Sequence, residues 1–148
     1  MDDSLIIRPM EEKDLQQVLE IEKNSFSRPW THNDFLASLK PPNIYIVAEV
    51  NEEIAGYCGL WGVAGEGQIN NVAVSTKYRN KGIAFAMLTH LIYLGREQGL
   101  GEYTLEVRKS NLPAISVYHK LGFLDEGLRK NYYEEPTEDA LIMWLKQQ

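Results

Sequence analysis

A short segment with one glycine and two basic residues has the composition of a site for phosphate groups. The segment follows a predicted strand, opens a predicted helix, and consists of Arg79, Asn80, Lys81, Gly82, Ile83 and Ala84. A glycine turn at a helix N-terminus leaves backbone N–H donors unpaired, and with the helix dipole they favour an anion such as a pyrophosphate. Arg79 and Lys81 add positive charge, and a guanidinium can bind phosphate through two hydrogen bonds. In isolation, the segment is equally typical of a basic loop before a core helix.

The strand that precedes this segment narrows the class of ligand. Gln68–Val74 ends just before the glycine turn, so a cofactor with its phosphates on the helix must extend its tail back along the strand. A pantetheine arm carries two amides and can pair with backbone groups as an added strand does. The arrangement therefore favours a cofactor of the coenzyme A type.

With these features the sequence resembles the GNAT superfamily of N-acetyltransferases. The acetyl-CoA motif of that superfamily has Arg or Gln, two residues, Gly, one residue, and Gly or Ala, and Arg79, Gly82 and Ala84 occupy its fixed positions. Phe85 is apolar where relatives often carry a polar side chain. The resemblance implies acetyl-CoA as cosubstrate and no metal. It also implies contacts to the pantetheine arm from Val72, Ala73 and Val74, and to the pyrophosphate from Asn80, Lys81, Gly82, Ile83, Ala84 and Phe85.

Acetyl transfer to an amine requires two proton transfers, and Glu106 has a side chain suited to the first. The amine must lose a proton, and the departing thiolate benefits from a proton donor. Glu106 is the only acid in the predicted strand Tyr103–Val107, whose other residues we expect to be buried. A carboxylate in such surroundings holds a proton readily and can act as a base. Spacing alone equally allows an outward-facing glutamate that pairs with Arg108 or with a neighbouring strand.

Tyr118 is the candidate for the second proton transfer. It shares one face of a predicted helix with Ala114, Val117 and Leu121, so we expect its ring to point toward the sheet. The alternative is a core tyrosine whose hydroxyl has a partner within the protein. His119 lies on the other side of this helix, where we expect it to face solvent.

The resemblance becomes more specific in the second half of the chain. Five segments look like those of the bacterial ribosomal-protein-alanine N-acetyltransferases, the RimI group: Leu105-Glu-Val-Arg-Lys-Ser-Asn111, Ala114-Ile-Ser-Val-Tyr118, Leu121-Gly-Phe123, Arg129-Lys-Asn-Tyr-Tyr133 and Glu138-Asp-Ala-Leu-Ile-Met143. The loop that ends in Pro29-Trp30 fits as well, so the resemblance covers nearly the whole chain.

The RimI resemblance implies a role for each of several residues. Glu106 would be the base, Tyr118 the acid, and Asn111 a contact to the cofactor. The acceptor groove would be lined by the 26–30 loop and by two tyrosines, with Phe26, Trp30, Tyr132 and Tyr133 as its residues. Each of these aromatic residues is equally typical of core packing. The implied acceptor is the N-terminal alanine of a small-subunit ribosomal protein.

Cysteine and histidine offer little support for other chemistry. Cys58 could carry an acyl group in a two-step mechanism, but it lies inside a predicted strand without an activating partner, so we expect a buried inert thiol. His32, His90 and His119 have no metal-binding spacing with one another. We therefore expect direct transfer without a covalent enzyme intermediate and without a metal.

The elements that must position these residues follow from the hydrophobic pattern. We predict helices over 11–22, from a cap at Thr31 to about Leu39, over 83–98 and over 111–120. We predict strands over 5–8, 44–50, 54–61, 68–74, 102–107, 123–131 and 140–145. This order predicts an α/β fold, namely a single-domain GNAT fold over residues 1–148 with a mixed, mainly antiparallel sheet flanked by helices.

Length and charge limit the classes of partner. A chain of 148 residues can bury one core, and its net charge of −6 argues against a nucleic-acid-binding domain, which usually carries a basic face. The charge mildly favours cationic partners, although solubility alone also explains it. No apolar stretch approaches the roughly 20 residues of a membrane helix, and one cysteine cannot form an internal disulfide. We therefore expect a cytoplasmic protein without a membrane or nucleic-acid partner, and no signal indicates an oligomeric state.

Two alternatives to N-terminal acetylation fit parts of this pattern. The first is the same chemistry on lysine side chains or on a polyamine. The second, from a different functional class, is a non-catalytic domain that senses acetyl-CoA. The presence of both Glu106 and Tyr118 argues against the sensor.

Overall fold

The computed structural model describes residues 4–146 and forms a layered α/β fold. Its strands are β1 (Leu5–Pro9), β2 (Ile44–Val50), β3 (Glu53–Val63), β4 (Glu66–Val74), β5 (Glu102–Arg108), β6 (Leu124–Tyr133) and β7 (Glu138–Leu145). Its helices are α1 (Leu15–Ser25), α2 (His32–Ser38), α3 (Ile83–Glu97) and α4 (Leu112–Leu121), with 3-10 turns at Glu12–Asp14 and Thr76–Tyr78. Within residues 4–146, no helix has the length and apolar character needed to cross a membrane.

The strands form one seven-stranded sheet in the order β1-β2-β3-β4-β5-β7-β6. Neighbouring strands are antiparallel except β4 and β5, which run parallel because α3 carries the chain from one to the other. The predicted mixed, mainly antiparallel sheet and its element order are confirmed.

Each face of the sheet is covered by one pair of helices. Helices α3 and α4 pack on one face, where Met87, Leu91 and Ile115 are buried against the sheet. On the opposite face α1 and α2 bury a smaller core that contains Leu15 and Phe35. Both cores are needed because alternate residues of the central strands point to opposite faces.

The helix boundaries depend on local hydrogen bonds. The predicted helix over 11–22 begins later, because Asp14 accepts from the backbone N–H of Glu11 at 2.8 Å and closes a 3-10 turn first. Thr31 and Asp34 form the predicted capping box at the start of α2, with hydrogen bonds of 2.8 and 3.2 Å. Gly122 ends α4 with a φ of 105°, a left-handed conformation that suits glycine.

Candidate active site

Strands β4 and β5 separate at the middle of the sheet. Their pairing covers only Glu66–Gln68 on β4 and Glu102–Thr104 on β5 within the described chain. Beyond these residues β4 stays bonded to β3, whereas β5 stays bonded to β7. The gap therefore exposes backbone groups at the edge of each strand, and an extended molecule can pair with them.

A β-bulge changes the direction of β4 near the start of this gap. Tyr57 pairs with Ala73 and Gly59 pairs with Asn70, so β4 has one extra residue between these two pairs. Asn71 lies in the extra length with a φ of 51°, a left-handed conformation that asparagine tolerates better than most residues. Sequence analysis did not predict the bulge, because its position depends on pairing with β3.

The glycine turn lies where β4 leads toward α3, as the phosphate-site prediction requires. Gly82 precedes α3 with a φ of 77°, and a β-carbon built on it would have no protein atom within 4 Å. The first N–H groups of α3 have no partner within the helix, as at the start of any helix. Arg79 donates to the carbonyl of Val74 at 3.1 Å, which ties the turn to the end of β4. These residues fit a pyrophosphate.

The other predicted cofactor residues lie on β4, at the turn into α3 and at the start of α4. Val72 and Val74 are partly buried and pack on the α3/α4 core, and Ala73 is buried on the opposite face, so their side chains face the two cores of the protein. Lys81 and Phe85 are exposed at the turn, and Ile83 is buried beneath it. Asn111 caps α4 by accepting from the N–H of Ala114 at 3.3 Å.

Glu106 lies on β5 beside the gap and faces away from the α3/α4 core. Its side chain is 29% exposed and pairs with Arg129 on β6, with 2.5 Å between Oε2 and Nε. The alternative partner suggested by spacing, Arg108, instead contacts Glu138 at 3.3 Å. Sequence reasoning missed Arg129 as the partner because β7 separates β5 from β6 in the sheet.

Two tyrosines stand next to Glu106. The rings of Tyr132 and Tyr133 are 5.1 Å apart and nearly perpendicular. Burial and the carboxylate of Glu106 raise the pKa of both hydroxyls, that of Tyr133 to about 12. Asn131, with a φ of 54°, interrupts the pairing of β6 with β7 just before them. The irregular end of β6 therefore brings both hydroxyls near the predicted base.

Tyr118 points into the sheet from α4, as predicted. It is 6% exposed, and burial raises the pKa of its hydroxyl, as do Cys58 on β3 and Tyr133 on β6. None of the hydrogen bonds found among residues 4–146 involves this hydroxyl, and that part of the chain has no fully buried polar side-chain atom without a partner. This hydroxyl therefore differs from that of a core tyrosine whose hydroxyl has a partner within the protein.

The loop that carries Phe26 and Trp30 approaches the end of β6. Ser27 donates to the carbonyl of Glu134 at 3.2 Å, and Arg108 donates to the same carbonyl at 3.0 Å. Phe26 is exposed, whereas the Trp30 ring packs on aromatic side chains beneath the loop. The 26–30 loop and the β6–β7 connection are therefore in direct contact.

Cys58 is fully buried, and burial raises the pKa of its thiol. The thiolate that an acyl carrier needs is therefore disfavoured. Among residues 4–146, no three His, Cys, Asp or Glu side chains are grouped as metal ligands.

One buried polar residue was not predicted to be part of the site. Glu22 on α1 is 1% exposed and accepts hydrogen bonds from Trp30 and Asn71, which lie on the acceptor loop and the bulge. The signal was present in the sequence, because Glu22 falls in the apolar stripe of its helix with Leu15, Val18 and Leu19. A charged residue at such a position is rare without a partner.

A sheet that separates between two parallel strands, beside a helix start that can bind a pyrophosphate, defines the fold of an acyl-CoA-dependent transferase. The family model described as Acetyltransferase (GNAT) family matches residues 14–123, and the chain belongs to this family. It is therefore an acetyltransferase, and members of the family use acetyl-CoA as donor.

Similar proteins agree with this assignment along nearly the whole chain. The [ribosomal protein bS18]-alanine N-acetyltransferase of Escherichia coli K12 is 33% identical over 94% of this chain and 95% of its own. A Bacillus subtilis protein provisionally named for the same activity is 40% identical over 94% of this chain and 93% of its own. The crystal structure of the Escherichia coli ribosomal-protein-S18-alanine N-acetyltransferase superimposes with a TM-score of 0.88 at 32% identity, covering 97% of this chain and 94% of that one.

Proposed function

We propose that this enzyme transfers the acetyl group of acetyl-CoA to the N-terminal α-amine of a protein, with the N-terminal alanine of ribosomal protein bS18 as the leading acceptor. The observation that carries the proposal is the similarity to the Escherichia coli bS18-alanine enzyme over 94% of this chain. A ribosomal-protein acceptor implies that the enzyme works in the cytoplasm.

The gap between β4 and β5 is the proposed site of the donor, which supplies the acetyl group as a thioester. Backbone groups of Val72–Val74 bind the pantetheine arm, and the N-terminus of α3 with Arg79 and Lys81 binds the pyrophosphate. The left-handed Gly82 supports this assignment, because the space that a side chain would fill is open.

Glu106 is the proposed base. Because Arg129 is cationic, its ion pair with Glu106 holds one carboxylate oxygen in a fixed direction. The partial exposure of the Glu106 side chain lets an acceptor amine reach the carboxylate. Glu106 then accepts the proton that the amine loses as its nitrogen bonds to the acetyl carbon.

Tyr118 is the proposed acid at the thiolate. Burial raises the pKa of its hydroxyl, so the hydroxyl keeps its proton until a strong base forms next to it. A departing thiolate is such a base, and Tyr118 donates the proton as the carbon–sulfur bond breaks. None of the hydrogen bonds found in the described chain involves this hydroxyl, so its proton is available for the thiolate.

The pKa of the acceptor amine distinguishes a protein N-terminus from a lysine side chain as the substrate. The reference pKa values are about 7.7–8.0 for an α-amine and about 10.4 for lysine, so deprotonation of lysine costs about 3 kcal/mol more. A single carboxylate base therefore favours an N-terminus. We expect an acceptor groove between the two tyrosines, Tyr132 and Tyr133, and the 26–30 loop to suit a small first side chain such as alanine.

A competition between two peptides tests this function. One peptide has a free N-terminal alanine, and the other has the same sequence with a blocked N-terminus and one lysine. Mass spectrometry after incubation with acetyl-CoA should show acetylation of the first peptide at the α-amine. Equal or faster acetylation of the second would assign the enzyme to lysine side chains, and absence of turnover on any amine would favour a sensor.

A further inference from the structure

The buried carboxylate of Glu22 has no part in the proposed proton transfers. It lies near the C-terminal end of α1 and is 1% exposed. Burial of a charged carboxylate costs free energy unless hydrogen bonds compensate for it. The donors that compensate here come from three other parts of the fold.

Both oxygens of Glu22 accept hydrogen bonds. The Tyr57 hydroxyl on β3 donates to Oε1 at 2.6 Å, and the backbone N–H of Trp30 donates to Oε2 at 2.9 Å. The side-chain amide of Asn71 contacts the two oxygens at 3.3 and 3.2 Å. One carboxylate thus links α1 to β3, to β4 and to the loop between α1 and α2.

Two of these donors belong to opposite sides of the proposed site. Asn71 is the left-handed residue of the bulge that turns β4 away from β5, so its amide bonds fix the strand that receives the cofactor. Trp30 ends the loop that forms one wall of the proposed acceptor groove, and its ring lies 5.1 Å from that of Phe35. Neither donor can move far without breaking its bond to Glu22.

We propose that Glu22 is a positioning residue that holds the bulged cofactor strand and the acceptor loop in one fixed relative geometry. This inference rests on the proposed function of the site. Small displacements of reacting groups reduce rates strongly, and a misplacement of about 1 Å can cost about 10²-fold. Loss of the hydrogen bonds between Glu22 and Asn71 should therefore lower kcat/KM more than replacement of an equally buried carboxylate elsewhere in the protein.

A double-mutant cycle between Glu22 and Asn71 tests the link. Asn71→Asp keeps a side chain that tolerates the left-handed conformation but places a second carboxylate against Glu22. Glu22→Gln places an amide donor against the Asn71 amide. In the double variant the donor and the acceptor are exchanged, so the new amide can donate to the new carboxylate while its oxygen still accepts from the Trp30 N–H.

The kinetic outcome distinguishes positioning from simple stability. We expect kcat/KM for the N-terminal alanine peptide to fall about 10²-fold in Asn71→Asp and to recover at least about tenfold in the double variant. Wild-type kcat/KM in both folded single variants would overturn the inference, as would purely additive losses without recovery. If Asn71→Asp does not fold, Asn71→Gly removes the same bond without adding a charge, and a wild-type rate would then overturn it.

Asp14→Asn is the matched control. Asp14 is 4% exposed just before α1, and Arg8 holds it through hydrogen bonds of 2.8 and 2.9 Å. This variant should lose thermal stability and keep the wild-type kcat/KM. An equal kinetic loss in this control would show that any buried carboxylate has the same effect and would overturn the inference.

A separate measurement keeps this inference distinct from the proposed function. If the wild-type enzyme does not acetylate the alanine peptide, the proposed acceptor is wrong. Calorimetry with acetyl-CoA then tests the link without any acceptor. Affinity should fall in Asn71→Asp and recover in the double variant, and unchanged affinity in both would overturn the link.

Discussion

The carboxylate of Glu106 and the guanidinium of Arg129 form an ion pair of 2.5 Å across the intervening strand β7. Arg129 therefore contacts the proposed base from the side of β5 that is opposite the gap between β4 and β5. An acceptor amine arrives as a cation at neutral pH and must share this carboxylate with Arg129. In the proposed mechanism, the Glu106 carboxylate attracts the ammonium group first and accepts its proton afterwards.

Replacement of Glu106 should remove this base without disturbing the core. We expect Glu106→Gln to lower kcat by about 10²-fold or more, because general base catalysis contributes about 10²–10⁴-fold. Steady-state kinetics with the alanine peptide at pH 7 would measure the loss. Glu102→Gln is the control, because Glu102 lies on the same face of β5 at its opposite end. Similar kcat values in the two variants would contradict the role of Glu106.

Two of the buried tyrosines, Tyr118 and Tyr103, should respond oppositely to removal of the hydroxyl. The Tyr103 hydroxyl donates to the carbonyl of Leu100 at 2.8 Å, so Tyr103→Phe should cost about 1 kcal/mol of stability and leave kcat unchanged. Tyr118→Phe breaks no hydrogen bond within the described chain and should lower kcat by about 10²-fold. Denaturant unfolding and kinetics on both variants measure the contrast. A wild-type kcat for Tyr118→Phe would make Tyr118 a core residue only.

Turnover should persist to high pH, because burial raises the pKa of the Tyr118 hydroxyl above its usual value of about 10. A raised pKa keeps the proton on the folded protein, so Tyr118 remains an acid through pH 10. Stability, in contrast, should fall at high pH. The unfolded chain releases this proton near pH 10 whereas the folded chain keeps it, so the free energy of unfolding decreases as the pH rises above about 10. Measurements of kcat from pH 7 to 10 check the first effect. A fall in kcat below pH 10 that disappears in Tyr118→Phe would contradict it.

Local signals account for the parts of the fold that were predicted from the sequence. The capping box at Thr31, the glycine after α4 and the alternation within β5 each depend on residues a few positions apart. Their elements therefore appear in the predicted order. The resemblance to GNAT enzymes supplied the remainder of the fold class, because propensity alone does not specify which strands are neighbours.

The features missed by sequence analysis depend on contacts between distant segments. The bulge at Asn71 follows from the pairing of β4 with β3, and the Arg129 partner of Glu106 follows from the order of the last two strands. Glu22 was visible as a charge in an apolar stripe, but its donors lie 8 to 49 residues away along the chain. Only the folded arrangement shows what such a residue contacts.

The glycine before α3 provides a test of the proposed cofactor site that does not depend on the acceptor. Gly82 has a φ of 77° and open space where a side chain would lie, so Gly82→Val should strain the turn and occupy the space proposed for the pyrophosphate. Calorimetry should show strongly weakened binding of acetyl-CoA, by about 10-fold or more, the effect of losing about 1.4 kcal/mol.

Gly65 supplies a control with nearly the same backbone geometry. It has a φ of 82°, also with open space around it, but it lies in the turn before β4, at the other end of that strand from Val74. Gly65→Val should therefore cost a similar amount of stability, about 1–2 kcal/mol, and leave acetyl-CoA affinity unchanged. If both variants bind acetyl-CoA equally well, the turn at Gly82 does not contact the phosphates. If both lose affinity equally, backbone strain rather than phosphate contact explains the loss.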